Sequence, residues 1–254
     1  MVTMQLTPNY TGVRISGSRD DFEAIVDAIY DLTIDEEHPE SLKYHTVSIR
    51  TLGLCYDIRH AAMGDREVEL LDEAITPFMY EDEDEIVRYK EARFSCHCLL
   101  PEMCFIIMAL NCLMDYRGKT LVNQKVSRET DPRVIWDPSI ALMRSFQSIF
   151  IACVEKELAP ATMTRFRNSL HKGSHHVTDM HRQFLDLKNI EFIGYSPEKR
   201  KKSISIIAKR LSEFIWNPEY RTLAAELEFS AAEYGVHPSE LTFNGLEYPE
   251  EHDW

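Results

Sequence analysis

The segment from Met103 to Met114 is apolar on nearly every side of a helix. Pro101 stands just before it, in the first helical turn. A backbone N–H there has no partner within the helix, so proline, which lacks an N–H, loses no hydrogen bond. A helix without a polar face has to be surrounded by other elements. The whole apolar stretch, Leu99 to Met114, is shorter than the roughly 20 residues that span a bilayer. The sequence therefore predicts a buried central helix, residues 101–116, and no membrane association.

Strand character is confined to the first 100 residues, apart from one late segment. The predicted strands are Gly12–Ser16, Glu67–Leu71 and Arg93–Leu99, and the late strand-like segment is Ile190–Ile193. Helical periodicity predicts the remaining elements, at Ser18–Leu32, Thr46–Met63, Pro138–Leu158, Ala161–His171, Pro197–Trp216, Pro218–Tyr234 and a short helix from Pro238. So few strands favour an α+β fold, mainly α: a small antiparallel sheet from the N-terminal half packs on helices, and a helical C-terminal half follows.

The division into domains is open at this level. Residues 1–132 would form the α+β half and residues 133–254 the helical half, with a polar connection at 117–132. No linker rich in glycine, serine or proline separates them, so one continuous domain is the alternative. The acidic run Glu81–Glu85 indicates a solvated loop.

Composition indicates a reduced, cytoplasmic protein. The chain has 254 residues, 44% of them hydrophobic, which suffices for a core without disulfides. Its six cysteines stand within apolar runs such as Phe94–Leu100 and are not spaced as in a disulfide framework or a zinc site. The N-terminal residues lack the basic and apolar regions of a secretion signal.

Charge is distributed unevenly along the chain. The net charge is −14, which argues against general affinity for nucleic acid. Residues 158–215, however, carry 11 Lys/Arg and 5 Asp/Glu, a net +6 between acidic ends. This basic island faces acidic groups of its own chain or of a second copy, or else it contacts phosphate. Nucleic acid could bind only there, and a protein partner or self-association is the favoured prediction.

Four of the ten histidines fall within the basic island, between residues 171 and 181. His171, His175, His176 and Asp179 have the spacing of three or four residues that places metal ligands on one helical face. Gly173 and Ser174 indicate a helix end that would break this stripe. No cofactor is favoured, and a divalent metal is the one candidate.

The same region offers an alternative chemistry. Arg165 and His171 have the spacing of the Arg–His dyad of the helical HEPN ribonucleases, in which Arg would hold a phosphate and His would transfer a proton. Arg167 would join them as a phosphate contact. Phe166 departs from that pattern, because a polar residue usually stands there.

The junction from Asp57 to Glu67 concentrates polar groups between a helix and a strand. Arg59, His60, Asp65 and Arg66 could bind an anion or transfer a proton. The alternative is an internal salt-bridge lattice in which Asp65 and Glu67 neutralise the two arginines.

Several segments resemble an uncharacterised family of bacterial hypothetical proteins. They are residues 7–17 (TPNYTGVRISG), 52–60 (LGLCYDIRH), 64–67 (GDRE), 100–103 (LPEM) and 109–111 (ALN). The resemblance covers most of the chain and implies a bacterial, cytosolic protein without an assigned activity. Because of this resemblance, Glu67 and Glu102 are added to the candidate polar site. The resemblance does not extend to the histidine cluster.

No complete catalytic or cofactor motif stands in the sequence. The favoured prediction is an interaction or regulatory protein without catalytic activity, and whether the protein is an enzyme stays open. The alternative is a hydrolase acting on nucleic acid or a phosphate ester through the region His171–His181.

Overall fold

The computed structural model describes residues 1–34, 38, 41–72, 90–122, 130–241, 248–249 and 253–254. The predicted loop Glu81–Glu85 and most of the predicted connection after residue 121 lie outside these residues. The described residues form the α+β arrangement predicted from the sequence, with an N-terminal antiparallel sheet and a helical C-terminal half.

Four strands form the sheet: β1 (Thr3–Leu6), β2 (Gly12–Gly17), β3 (Glu67–Asp72) and β4 (Lys90–Leu99). Their order is β1-β2-β4-β3, and every neighbouring pair is antiparallel. The three predicted strands are confirmed, but β1 was missed, because it has only four residues and too few alternations to stand out. Pairing with β2 holds it in place, and no local pattern encodes that pairing.

The helices are α1 (Arg19–Leu32), α2 (Ser41–Ala62), α3 (Leu100–Leu121), α4 (Pro132–Ile135), α5 (Pro138–Glu155), α6 (Pro160–Gly173), α7 (Arg182–Ile193), α8 (Pro197–Ser212) and α9 (Pro218–Tyr234). Short 3₁₀ turns occupy Val177–Asp179, Phe214–Trp216 and Pro238–Glu240. The strand expected at Ile190–Ile193 is wrong, since this segment is the last turn of α7. Its β-branched and aromatic residues pack as a helix because Phe192 and Ile193 face the core.

Helix ends follow local capping chemistry. Ser18 and Asp21 form a reciprocal capping box at the start of α1, with hydrogen bonds of 3.1 and 3.2 Å. Gly64, after α2, has φ of +86°, the left-handed conformation that favours glycine at a helix end. These ends were therefore predictable from single residues.

Helix α3 is the centre of the molecule, as predicted. Its residues from Met103 to Leu110 are all buried. It contacts β2 and β4 on the sheet side and α1, α2 and α4–α8 elsewhere. One core cluster includes residues from Val2 to Leu227 and so draws on both halves of the chain. No helix among the described residues is long and apolar enough to cross a membrane.

Candidate functional site

A cleft opens beside the N-terminus of α3, between α2, β4, α7 and the C-terminal residues. It consists of two adjoining cavities, of about 590 and 610 Å3. Both are lined by Asp57, Cys98, Glu102 and Tyr248, so the two cavities meet at these four residues. The first cavity is also lined by Ile49, Arg50, Gly53, Leu54, Tyr56, Ile106, Arg182, Gln183, Asp186 and Leu241, and the second by Arg66, Glu67, Ser95, Cys96, His97, Leu99, Asn189 and Trp254.

Three charged side chains from three helices meet in the first cavity. Arg50 of α2 lies 2.6 Å from Asp186 of α7 and 3.5 Å from Glu102 of α3. Burial alone would lower the pKa of Arg50, but the two carboxylates raise it. Burial raises the pKa of Glu102, against the opposing effect of Arg50. One guanidinium thus pairs with two carboxylates. Glu102 is the less well neutralised of the two, because it lies farther from Arg50 than Asp186 does.

Helix α7 presents a polar stripe to the cleft. Gln183, Asp186 and Asn189 follow one another at intervals of three residues and therefore share one helical face. The Asn189 amide donates to Glu102 Oε2 at 2.8 Å and to the Tyr248 hydroxyl at 3.1 Å. The Gln183 amide donates to the carbonyl oxygens of Pro238 and Leu241, at 3.3 and 2.6 Å.

Two amide oxygens of this stripe are buried without a donor. Gln183 and Asn189 are 2% and 1% exposed, and within the described part of the chain neither Gln183 Oε1 nor Asn189 Oδ1 accepts a hydrogen bond. The amide orientations are fixed, because rotation would point each oxygen at a carbonyl or carboxylate oxygen. A buried acceptor left without a donor costs about 1–3 kcal/mol. Both residues line the cleft, and although neighbouring atoms cover the two oxygens, a bound molecule that displaces those atoms would satisfy them by donating hydrogen bonds.

C-terminal residues complete the cleft wall. The Tyr248 hydroxyl donates to Asp186 at 2.7 Å, and burial together with Asp186 raises the pKa of Tyr248. The Trp254 ring stacks on His97 with centroids 4.7 Å apart. Buried Arg200 of α8 donates to the carbonyl oxygen of Asp253 at 3.3 Å. These contacts hold two aromatic rings against the cavities.

The thiols in the cleft are not activated nucleophiles. Burial raises the pKa of Cys96 to about 12 and raises that of Cys98 as well. A thiol reacts as its thiolate, so thiols of raised pKa behave as small apolar groups. Burial also lowers the pKa of His97, so that its ring is neutral near pH 7.

Three of the six residues of the predicted polar site line the cleft, and the other three do not. Arg66, Glu67 and Glu102 line the cleft, where Arg66 pairs with Asp57 at 3.1 Å and Glu67 with Arg14 at 3.1 Å. The pairs expected in the salt-bridge lattice are therefore not those that form.

The other three residues of that predicted site lie outside the cleft. His60 pairs with Asp65 at 2.9 Å, and the Arg59 guanidinium lies 6.0 Å from the Tyr56 ring centroid. Arg59 lines a separate, smaller cavity between α1 and α2.

The predicted phosphate contacts lie together on α6. Arg167 pairs with Glu155 at 2.9 Å, and Arg165 donates to the Thr162 hydroxyl at 3.2 Å. Other cations of the basic island have partners on the same chain too, such as Lys201 with Glu157 at 2.9 Å. The basic island therefore faces acidic groups of its own chain at these positions, and phosphate binding stays a prediction.

The predicted metal ligands lie around the end of α6. The His171 and His175 rings are 5.2 Å apart, and Asp179 belongs to the following 3₁₀ turn while His176 precedes it. Among the described residues no group of three or more His, Cys, Asp or Glu side chains is arranged to hold a metal ion. The helix ends at Gly173, as the sequence indicated, and metal binding at His171, His175, His176 and Asp179 stays a prediction.

Sequence reasoning missed most of the cleft. Arg50, Gln183, Asp186 and Asn189 were not among the candidate residues. The polar stripe of α7 has a signal, three polar residues at helical spacing interleaved with Phe184, Leu185 and Leu187, but the strand expected at Ile190–Ile193 obscured it. Arg50 carries no signal of its own, since its role depends on Asp186, which is distant in sequence.

Comparison with known proteins gives the family. A family model described as "Domain of unknown function (DUF6904)" matches residues 2–254. The chain belongs to this family. No curated protein and no solved structure matches the chain.

Proposed function

We propose that this protein is a non-catalytic binding protein of regulatory type, and that a small polar ligand occupies the cleft around Glu102. One observation carries the proposal: the buried oxygens Gln183 Oε1 and Asn189 Oδ1, both on cleft-lining residues, accept no hydrogen bond from the described residues. A ligand with hydrogen-bond donors would satisfy both oxygens and gain affinity from them.

The contacts of the cleft side chains favour binding over chemistry. Glu102 is held by Arg50 and Asn189, and Asp186 is held by Arg50 and Tyr248. Side chains fixed in this way present a rigid surface to a ligand. The raised pKa of the Cys96 and Cys98 thiols supports the same conclusion.

The cellular setting is part of the proposal. The six cysteines are free, which supports a reducing compartment such as the cytoplasm. Bacterial origin, and a protein partner or second copy, remain predictions from the sequence. The hydrolase alternative at His171 also remains a prediction, and the ion pair of Arg167 with Glu155 does not favour it.

A fragment screen tests the proposal. Crystals of the full chain are soaked with a chemically mixed set of neutral, cationic and anionic fragments, and electron density is examined at the two amide oxygens. We expect fragments that donate to Gln183 Oε1 or Asn189 Oδ1. Binding in solution is then followed by ligand-observed NMR.

A matched pair of variants provides the control. Gln183→Met removes one of the two unpaired oxygens and should abolish binding of the fragments that donate to Gln183 Oε1. Gln147→Met removes another buried glutamine, whose amide hydrogen bonds to the Ile107 carbonyl and Asn111 are complete, and should leave binding unchanged. Density for water alone at both oxygens across the whole set would contradict the proposal.

A further inference from the structure

The charge and hydrogen-bond geometry of the cleft point to its ligand class: we infer that it binds a small organic cation rich in N–H donors, such as an amidine, guanidine or amine. This inference rests on the proposed function and adds the chemistry of the ligand.

Carboxylates outnumber guanidiniums among the groups that line the cleft. The carboxylates are Asp57, Glu67, Glu102 and Asp186, and the guanidiniums are Arg50, Arg66 and Arg182. Asp57 is neutralised by Arg66 and Glu67 by Arg14, and Arg182 donates to the Leu241 carbonyl oxygen at 3.4 Å. Glu102 and Asp186, by contrast, share the single guanidinium of Arg50. In a site partly removed from water, a carboxylate that shares its guanidinium with a second carboxylate attracts a further cation more strongly than a fully paired one does.

Glu102 has an oxygen available to that cation. Its hydrogen bond from Asn189 and its closest approach to Arg50 both involve Oε2. Oε1 receives no hydrogen bond from any residue that the structure describes. Together with Gln183 Oε1 and Asn189 Oδ1, it gives the cleft three acceptor oxygens for N–H groups. An amidinium or guanidinium carries several donors in one plane and no acceptor, which matches such a set.

Aromatic rings line the same cavities. Tyr56 and Tyr248 line the first cavity, and Trp254 lines the second. The face of an aromatic ring attracts a cation, by about 0.5–1 kcal/mol at an exposed site and more where water is excluded. An anion would gain nothing from these faces.

Three nearly isosteric probes test the charge requirement: benzamidinium, benzamide and benzoate. Calorimetric titration of the full chain should give the tightest binding with benzamidinium, at least about tenfold tighter than benzamide, with benzoate weakest. Tenfold corresponds to about 1.4 kcal/mol.

The variant Glu102→Gln keeps the size of the side chain and removes its charge. It should weaken benzamidinium at least about tenfold while changing benzamide less than about threefold, which a general loss of structure would not do. Glu155→Gln removes a surface carboxylate on α5, outside the cleft, and should leave all three affinities unchanged.

The outcomes separate the two proposals. Benzamide or benzoate binding as tightly as benzamidinium would overturn the cationic ligand class and leave the binding function standing. The same conclusion follows if none of the probes binds while the fragment screen finds other occupants. No occupant in either experiment would overturn both.

Discussion

Lys188 is a buried ammonium group between two carboxylates of the C-terminal half. It is 3% exposed and lies 2.9 Å from Glu191 and 2.6 Å from Glu219. Burial would lower the pKa of Lys188, but the two carboxylates raise it. This cluster ties α7 to α9 and shows how a charge of the basic island is neutralised within the chain.

Replacement of Glu191 should therefore have a pH-dependent effect on stability. Burial would raise the pKa of Glu191, but Tyr195, Lys188 and Arg210 together lower it to about 2. Because its pKa is lower in the folded state, the ionised Glu191 carboxylate stabilises the fold above the pKa of the unfolded state, about 4.5. This stabilisation is lost as pH falls towards 2. Glu191→Gln should cost below about 1 kcal/mol at pH 7, because the carboxyl is partly exposed.

Urea unfolding measured between pH 7 and pH 2 checks this expectation. The difference between Glu191→Gln and wild type should shrink as pH falls from about 4.5 to about 2. Glu226→Gln on α9, an exposed residue without an ion pair among the described residues, should show no such trend. A difference that stays constant with pH would contradict the role given to the Glu191 charge.

At the scale of elements, α3 and α6 approach each other closely at Gly173. A Cβ atom there would overlap the Met108 sulfur of α3 and lie 3.1 Å from Ser212 Cα of α8. Met108 is fully buried and Ser212 Cα belongs to the backbone, so neither moves away easily. Gly173 thus allows α6 to pack closely against α3, and it is also the last residue of α6. Its φ is not positive.

Two glycine substitutions test this packing. Gly173→Ala should lower the free energy of unfolding by about 1–3 kcal/mol through overpacking. Gly53→Ala, inside α2 with no atom within 4 Å of the added Cβ, should instead raise it by up to about 1 kcal/mol. Chemical denaturation of both variants gives the two signs. A stabilising Gly173→Ala would show that α6 does not pack on α3 as described.

Helix α7 shows where prediction from sequence was limited. Its last turn, Ile190–Ile193, contains β-branched and aromatic residues that favour a strand in isolation. Tertiary packing of Phe192 and Ile193 overrides that preference. By contrast, α1 and the start of α3 were predicted well, because Ser18 and Pro101 mark helix starts through local chemistry.

At the scale of the whole molecule, one core draws on both halves. Helix α3 contacts the sheet on one side and α6, α7 and α8 on others. Arg200 of α8 also donates to Thr11 Oγ1 at 2.7 Å, so a buried cation bonds the helical half to the N-terminal half. Removal of the helical half would expose apolar surface of α3 to water, and removal of the N-terminal half would leave α6, α7 and α8 without the helix on which they pack.

We therefore expect the full chain to unfold in one cooperative transition. Far-ultraviolet circular dichroism follows the helices, and tryptophan fluorescence follows local packing, including Trp254 at the sheet. In urea the two signals should have the same midpoint. Two separated midpoints would show instead that 1–132 and 133–254 are independent domains, the alternative that the sequence left open.

The sequence by itself determined the buried α3, the long late helices other than α7, and three of the four strands. These depend on residue periodicity and on caps, which are local properties of the chain. Only the tertiary structure decided which charges meet. Arg50, Glu102 and Asp186 form one network because α2, α3 and α7 converge there. The physical reason is that an ion pair depends on which helix faces are opposed, and this follows from packing of the whole core.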